Sequence, residues 1–68
     1  MRLTINGQVE DIAAETLGLV TYLSEKKINP QTVAIELNHE VISKSVYATT
    51  LIKEGDVIEI VRFVGGGC

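Results

Sequence analysis

The chain ends "EIVRFVGGGC", and this stretch holds the residues best suited to chemistry. Gly65, Gly66 and Gly67 follow directly on a strongly apolar strand pattern, and Cys68 comes after them. Glycine has no side chain to bury and loses the most conformational freedom on ordering. Three in a row serve no packing purpose. They do suit a narrow, water-poor enzyme site, where the backbone must approach closely and side chains would clash. What such a tail offers is its terminal carboxylate. A carboxylate is a poor electrophile until activated; joining it to AMP supplies a leaving group that sulfur or nitrogen can displace. The glycine run is not a phosphate loop, which leads into a helix and usually brings a lysine.

The other candidates are weaker. His39 is the single imidazole and falls in a polar turn, "NHE", with no nucleophile beside it in sequence. A catalytic histidine needs an oriented partner, so His39 reads as a turn residue. Glu10, Asp11 and Glu15 cluster early, and Glu54 and Asp56 flank Gly55. Paired carboxylates can do acid–base work, but none of these lies in a motif. Asp56 is expected to bond local backbone N–H groups in its turn, and the rest to be solvated charge.

Composition narrows the classes. Sixty-eight residues, 46% hydrophobic, make one domain with one small core; such domains are marginal but fold alone. A single cysteine excludes an internal disulfide, and one Cys with one His argues against a structural zinc site. Nine acids against six bases give a net charge of −3. Nucleic-acid and anionic-membrane binding need clustered Lys and Arg, and the densest basic spot is Lys26-Lys27 beside Glu25. An acidic domain of this kind is expected to dock on a basic protein surface. No signal peptide and no apolar run of membrane-spanning length is visible, so a cytoplasmic protein, monomeric when free, is the expectation.

The elements that must position the tail follow from pattern. "RLTINGQVEDI" reads as a hairpin around Asn6-Gly7, a favoured type I′ pair. Val9 and Ile12 carry the return strand, their spacing marking a bulge or an early end. "ETLGLVTYLSEKKINP" reads as the one principal helix, from about Thr16, its N-cap, to Lys27. Leu17, Val20, Leu23 and Ile28 share a helical face, with Leu19 at its border. Lys26 and Lys27 suit the last turn, and Pro30 stops further helix. "TVAIELN" is a strand and "EVISKS" a short returning one. Val46–Leu51 is irregular, and "KEGD" is a tight turn. "VIEIVRFV" is the last and most apolar strand, which suits a central position. The expected core is Leu3, Ile5, Leu17, Val20, Leu23, Val33, Ile35, Ile58 and Ile60. Hairpin, helix, strand, short strand, strand is the order of an α+β, ubiquitin-like β-grasp. It has a mixed sheet of four to five strands, with the last strand beside the first. The crossover lets the strand after the helix run parallel to a member of the hairpin. Residues 1–64 form the domain and 65–68 a flexible tail.

At "ELN", "L..GD.IEIV" and "FVGGG" the sequence resembles the ThiS family, the sulfur carrier proteins of thiamine biosynthesis. The resemblance covers nearly the whole chain and is strongest from Val33 to Gly67. It implies a carrier rather than an enzyme, with no bound cofactor. A ThiF-like enzyme, using ATP and Mg²⁺, would adenylate Gly67. Sulfur from a cysteine desulfurase persulfide would then convert it to a thiocarboxylate. A ThiG-like thiazole synthase would accept that sulfur. Gly65, Gly66 and Gly67 would thread into the partner, and Arg62, Phe63 and Val64, nearest the tail, would form the docking surface.

Cys68 departs from the pattern. With it in place, the acyl carbon of Gly67 is an unreactive amide. Three accounts stand: a peptidase removes Cys68, the cysteine is an extraneous remnant, or the thiol itself carries acyl or persulfide groups. Nothing in sequence lowers the pKa of an exposed thiol on such a tail. The alternatives to a thiamine-pathway carrier are a MoaD-like or other-pathway sulfur carrier and a non-catalytic β-grasp interaction module.

Overall fold

The computed structural model describes residues 1–62. The expected domain boundary at 64 and the tail 65–68 therefore lie outside the described residues.

The hairpin forms as its sequence requires. Strand β1 (Arg2–Ile5) pairs antiparallel with β2 (Gln8–Asp11), Ile5 lying opposite Gln8. Asn6 at φ 50° and Gly7 at φ 82° supply the two positive φ angles of the turn. Strand β2 ends early, at Asp11. Val9 faces outward and is 63% exposed, while Ile12, just past the strand, packs partly buried against the core.

The helix is the main correction. Helix α1 spans Leu19–Glu25, only seven residues. Thr16–Gly18, expected as its first turn, instead form strand β3, antiparallel to β6 (Leu51–Lys53) in a separate two-stranded sheet. Thr16 is thus not the N-cap. Gly18 is, and it caps with no side-chain hydrogen bond. The partner strand arrives from some thirty-five residues away, so local propensity could not reveal it. At the other end, Lys26 is the C-cap and Lys27 turns the chain at φ 60°. The Lys27 and Ile28 N–H groups donate to the Ser24 and Leu23 carbonyls at 2.9 and 2.8 Å. Both lysines therefore lie just past the last turn. Seven residues are too few for a stable isolated helix; burial of Leu19, Tyr22 and Leu23 holds it.

After a 3-10 turn at Pro30–Thr32, β4 (Val33–Leu37) runs into a second tight turn at Asn38 and His39 and returns as β5 (Glu40–Val41). Of the segment read as irregular, Val46–Leu51, the first four residues belong to a 3-10 helix over Lys44–Thr49 and Leu51 opens strand β6. Strand β7 (Val57–Arg62) closes the fold. The main sheet is ordered β2-β1-β7-β4-β5. It is mixed and five-stranded, with α1 on one face: a ubiquitin-like β-grasp. Strand β7 lies centrally, parallel to β1 and antiparallel to β4. Strand β4 runs in the direction of β2 but pairs with neither hairpin strand; among the described residues the parallel pairing is that of β1 with β7.

Six of the nine expected core residues are buried: Leu3, Ile5, Leu23, Val33, Ile35 and Ile58. Leu17, Val20 and Ile60 are partly buried against that core. Leu19, Tyr22, Tyr47 and Ile52 complete it. Shifting the helix start by three residues turns Leu19 and Tyr22 inward and puts Leu17 in a strand. Tyr47 comes from the 3-10 segment, where no periodicity announces it, and its Oη donates to the Val33 carbonyl at 3.3 Å.

Candidate functional site

The tail follows β7, so the site is built from what holds that strand. Its start is tied down. Asp56 is 3% exposed. Its Oδ2 accepts the Lys53 N–H at 2.9 Å, and its Oδ1 accepts Asn38 Nδ2 at 3.0 Å and Lys53 Nζ at 3.2 Å. Burial pushes this carboxyl up, but the bonds from Asn38 and from the backbone and side chain of Lys53 together outweigh it and hold it below the ordinary range. The expected local backbone bond is there. Asn38 is what sequence reasoning missed: its Oδ1 also accepts the Val57 N–H at 2.9 Å, and its N–H donates to the Val57 carbonyl at 2.7 Å. The residues behind "ELN" and "GD" thus form one clamp.

Midway, β1 stops and a side chain takes its place. The Asn6 N–H donates to the Ile58 carbonyl at 2.9 Å, and Asn6 Oδ1 accepts the Ile60 N–H at 2.7 Å. The turn residue chosen for its φ angle also extends the pairing of β7.

Towards its end, β7 emerges from the core. Ile58 is fully buried, Ile60 partly buried, Val61 57% exposed and Arg62 exposed, its backbone opposite Val33. Of the docking residues expected from sequence, Arg62 is described, and it makes no ion pair among the described residues. Phe63, Val64, the glycines Gly65, Gly66 and Gly67, and Cys68 lie outside the described residues.

The remaining candidates are dispersed. His39 is exposed, at φ 73° in the β4–β5 turn. Glu10 accepts the Tyr22 hydroxyl at 3.1 Å and pairs with Lys26 Nζ at 3.3 Å, tying α1 to β2. Burial, and then this bond to Glu10, push the Tyr22 hydroxyl up to about 12. Asp11 pairs with Arg2 at 2.9 Å, and its hydrogen bond with the guanidinium holds its carboxyl below the ordinary range. Glu54 accepts the Arg2 N–H at 2.8 Å, and Glu15 is exposed. A shallow depression bordered by Arg2, Asp11 and Glu54 presents this exposed ion pair and no nucleophile. Among the described residues no three His, Cys, Asp or Glu side chains group as metal ligands, and no helix is long and apolar enough to cross a membrane. Among the described residues the arrangement presents the exposed end of a strand and brings no nucleophile, base and orienting partner together.

Comparison with known proteins agrees with the fold. The sequence model of the ThiS family matches residues 3–67. The sulfur carrier protein ThiS of Bacillus subtilis is 35% identical over 65 residues, covering 96% of this chain and 98% of that one. A thiazole synthase of Paramagnetospirillum magneticum is 39% identical over 67 residues, covering 98% of this chain. The chain spans only a fifth of the length of that protein and of a second matching thiazole synthase, from Magnetococcus marinus. The crystal structure of a thiamine biosynthesis protein (ThiS) from Geobacter metallireducens superposes with a TM-score of 0.85 at 38% identity, covering 98% of this chain and all of that one.

Proposed function

This chain belongs to the ThiS family, and from that premise we propose that it is a sulfur carrier of thiamine biosynthesis whose working group is the carboxylate of Gly67. The observation that carries the reading is the extent of the family match, which runs through Gly67 and stops short of Cys68.

The chemistry follows from the tail. A ThiF-like enzyme holding ATP and Mg²⁺ directs the Gly67 carboxylate at the α-phosphorus; pyrophosphate leaves and an acyl-adenylate forms. A persulfide from a cysteine desulfurase attacks the acyl carbon and expels AMP. A second thiol then attacks the desulfurase sulfur of the resulting acyl disulfide, forming a disulfide with it and releasing the thiocarboxylate, which a ThiG-like thiazole synthase consumes. The two thiazole synthases that each contain a segment like this chain support that last partner. The protein supplies binding and presentation: Gly65 and Gly66 let the backbone enter a narrow channel, and Arg62, Phe63 and Val64 border its mouth. Activation requires prior loss of Cys68, which a peptidase provides.

The test compares the full chain with one ending at Gly67, each incubated with the adenylating enzyme, ATP and then a sulfur donor. Intact mass is expected to show AMP addition and then sulfur-for-oxygen exchange in the shortened chain alone. Gly66→Val is expected to slow that reaction sharply, since a β-branched residue is stiff and wide where the backbone must pass. Equal adenylation of the full chain, with sulfur retained at Cys68, would make the thiol the working group instead.

A further inference from the structure

The face of the main sheet turned away from α1 carries a charge arrangement that the chain alone does not resolve. Register sets Glu36 on β4 directly opposite Glu59 on β7, with Val41 of β5 on the other side of Glu36. Opposed residues on neighbouring strands hold their Cβ atoms about 5 Å apart, and like charges there are destabilising. No described lysine or arginine pairs with either carboxylate; the ion pairs among the described residues go to Asp11, Glu10 and Asp56. The acids are also set among apolar neighbours. By alternation along β7, Val57 and Val61 flank Glu59 on the same face. Val61 is 57% exposed and Val41 75%.

These two features call for different things. The valines gain by leaving water, while the glutamate pair gains only from a cation. We infer that Glu36 and Glu59 form a slot for one arginine of a protein partner, whose neighbouring apolar side chains rest on Val41 and Val61. A guanidinium suits the slot best: its planar fork reaches two carboxylates, and it is more weakly hydrated than an ammonium beside apolar groups. A divalent ion fits poorly, because two carboxylates on a flat face fall short of the six or more oxygens it takes and leave the valines uncovered. A second copy packed by twofold symmetry would set a glutamate pair against its own image. The net charge of −3 favours a basic partner surface as well. The same strand, β7, leads from this face into residues 63–68, so a partner seated here sits beside the chain's route to its tail. Identifying that partner as the adenylating enzyme rests on the carrier reading above.

The experiment uses the chain ending at Gly67 and its double variant Glu36→Gln/Glu59→Gln. Melting temperature, Kd for the adenylating enzyme at two salt concentrations, and adenylation kinetics are measured. The variant is expected to melt higher, because the repulsion is gone. Its Kd is expected to rise about tenfold or more and to lose most of its salt dependence. Its kcat is expected to stay within about twofold, since neither side chain reaches the reacting atoms. An unchanged Kd overturns the slot, and adenylation of the parent chain would then leave the carrier reading standing. A glutamate-dependent Kd without any adenylation supports the slot and sinks the carrier reading. No binding by the parent chain, or a dimer in sedimentation that the variant abolishes, overturns the inference.

Discussion

The two ends of β7 are built differently. At its start, Asp56 and Asn38 bind one another, the Lys53 amide and ammonium, and the Val57 backbone, all within 3.2 Å and beside the fully buried Ile58. At its end, Val61 and Arg62 stand exposed, with β4 on one side and the reach of β1 already exhausted. The difference teaches how a domain of this size presents a terminus. The fold anchors β7 by its first residues, so its last described residues are expected to carry little of the stability. Substitutions at the start should unfold the protein, and substitutions at the end should change only what it binds.

The largest effect is expected from Ile58→Ala, which removes a fully buried side chain from the anchored half and should cost about 2–5 kcal/mol. Chemical denaturation measures it. A cost below about 1 kcal/mol would mean that the start of β7 is not the anchor. Next comes Asp56→Ala, which strands the Asn38 amide and the Lys53 N–H and should cost about 1–3 kcal/mol.

The same carboxylate sets an acid dependence. Its pKa in the folded chain is below its ordinary value, so its contribution is present above the unfolded pKa. It is lost as pH falls through that value towards the folded one. Stability of the parent chain should therefore decline below about pH 5, and Asp56→Asn should flatten part of that decline. Identical acid profiles for the two chains would remove Asp56 from the account.

A smaller effect tests the turn that carries Asn38. His39 sits at φ 73°, where a side chain is disfavoured and glycine is not. His39→Gly should raise stability by about 0.5 kcal/mol without disturbing the clamp. The smallest effect belongs to the exposed end: Val61→Ala should change stability by less than about 0.5 kcal/mol. A cost comparable to that of Ile58→Ala would erase the distinction between the two ends.

Much of this was legible in the chain. Asn6-Gly7 announced its turn because both positions need positive φ. The apolar run of the last strand announced a central place, and β7 does lie between β1 and β4, but the cover on both faces that such a run implies is missing on the face that carries Glu59 and Val61. Asp56 announced a local backbone bond through its place after Gly55. What stayed hidden involved partners distant in sequence. Thr16–Gly18 joined the helix in the sequence reading because Leu17 and Val20 fit its period, and only Leu51–Lys53, paired alongside, make those residues a strand. Asn6 and Asn38 read as turn formers; that each also accepts an N–H from β7 follows from where that strand lies. The opposition of Glu36 and Glu59 is a matter of register, which no single strand carries in its own residues.

By itself, the sequence determined the hairpin, the one main helix, the strands at 33–37 and 57–62, the tight turns and the single small core, because these depend on local φ preference and on apolar periodicity. The tertiary structure decided where the helix begins, which side chains brace the last strand, and which face of the sheet remains uncovered. Each of those is settled by residues that meet only when the chain closes, so the competition between local preference and a distant partner is resolved by packing and hydrogen bonding rather than by the segment alone.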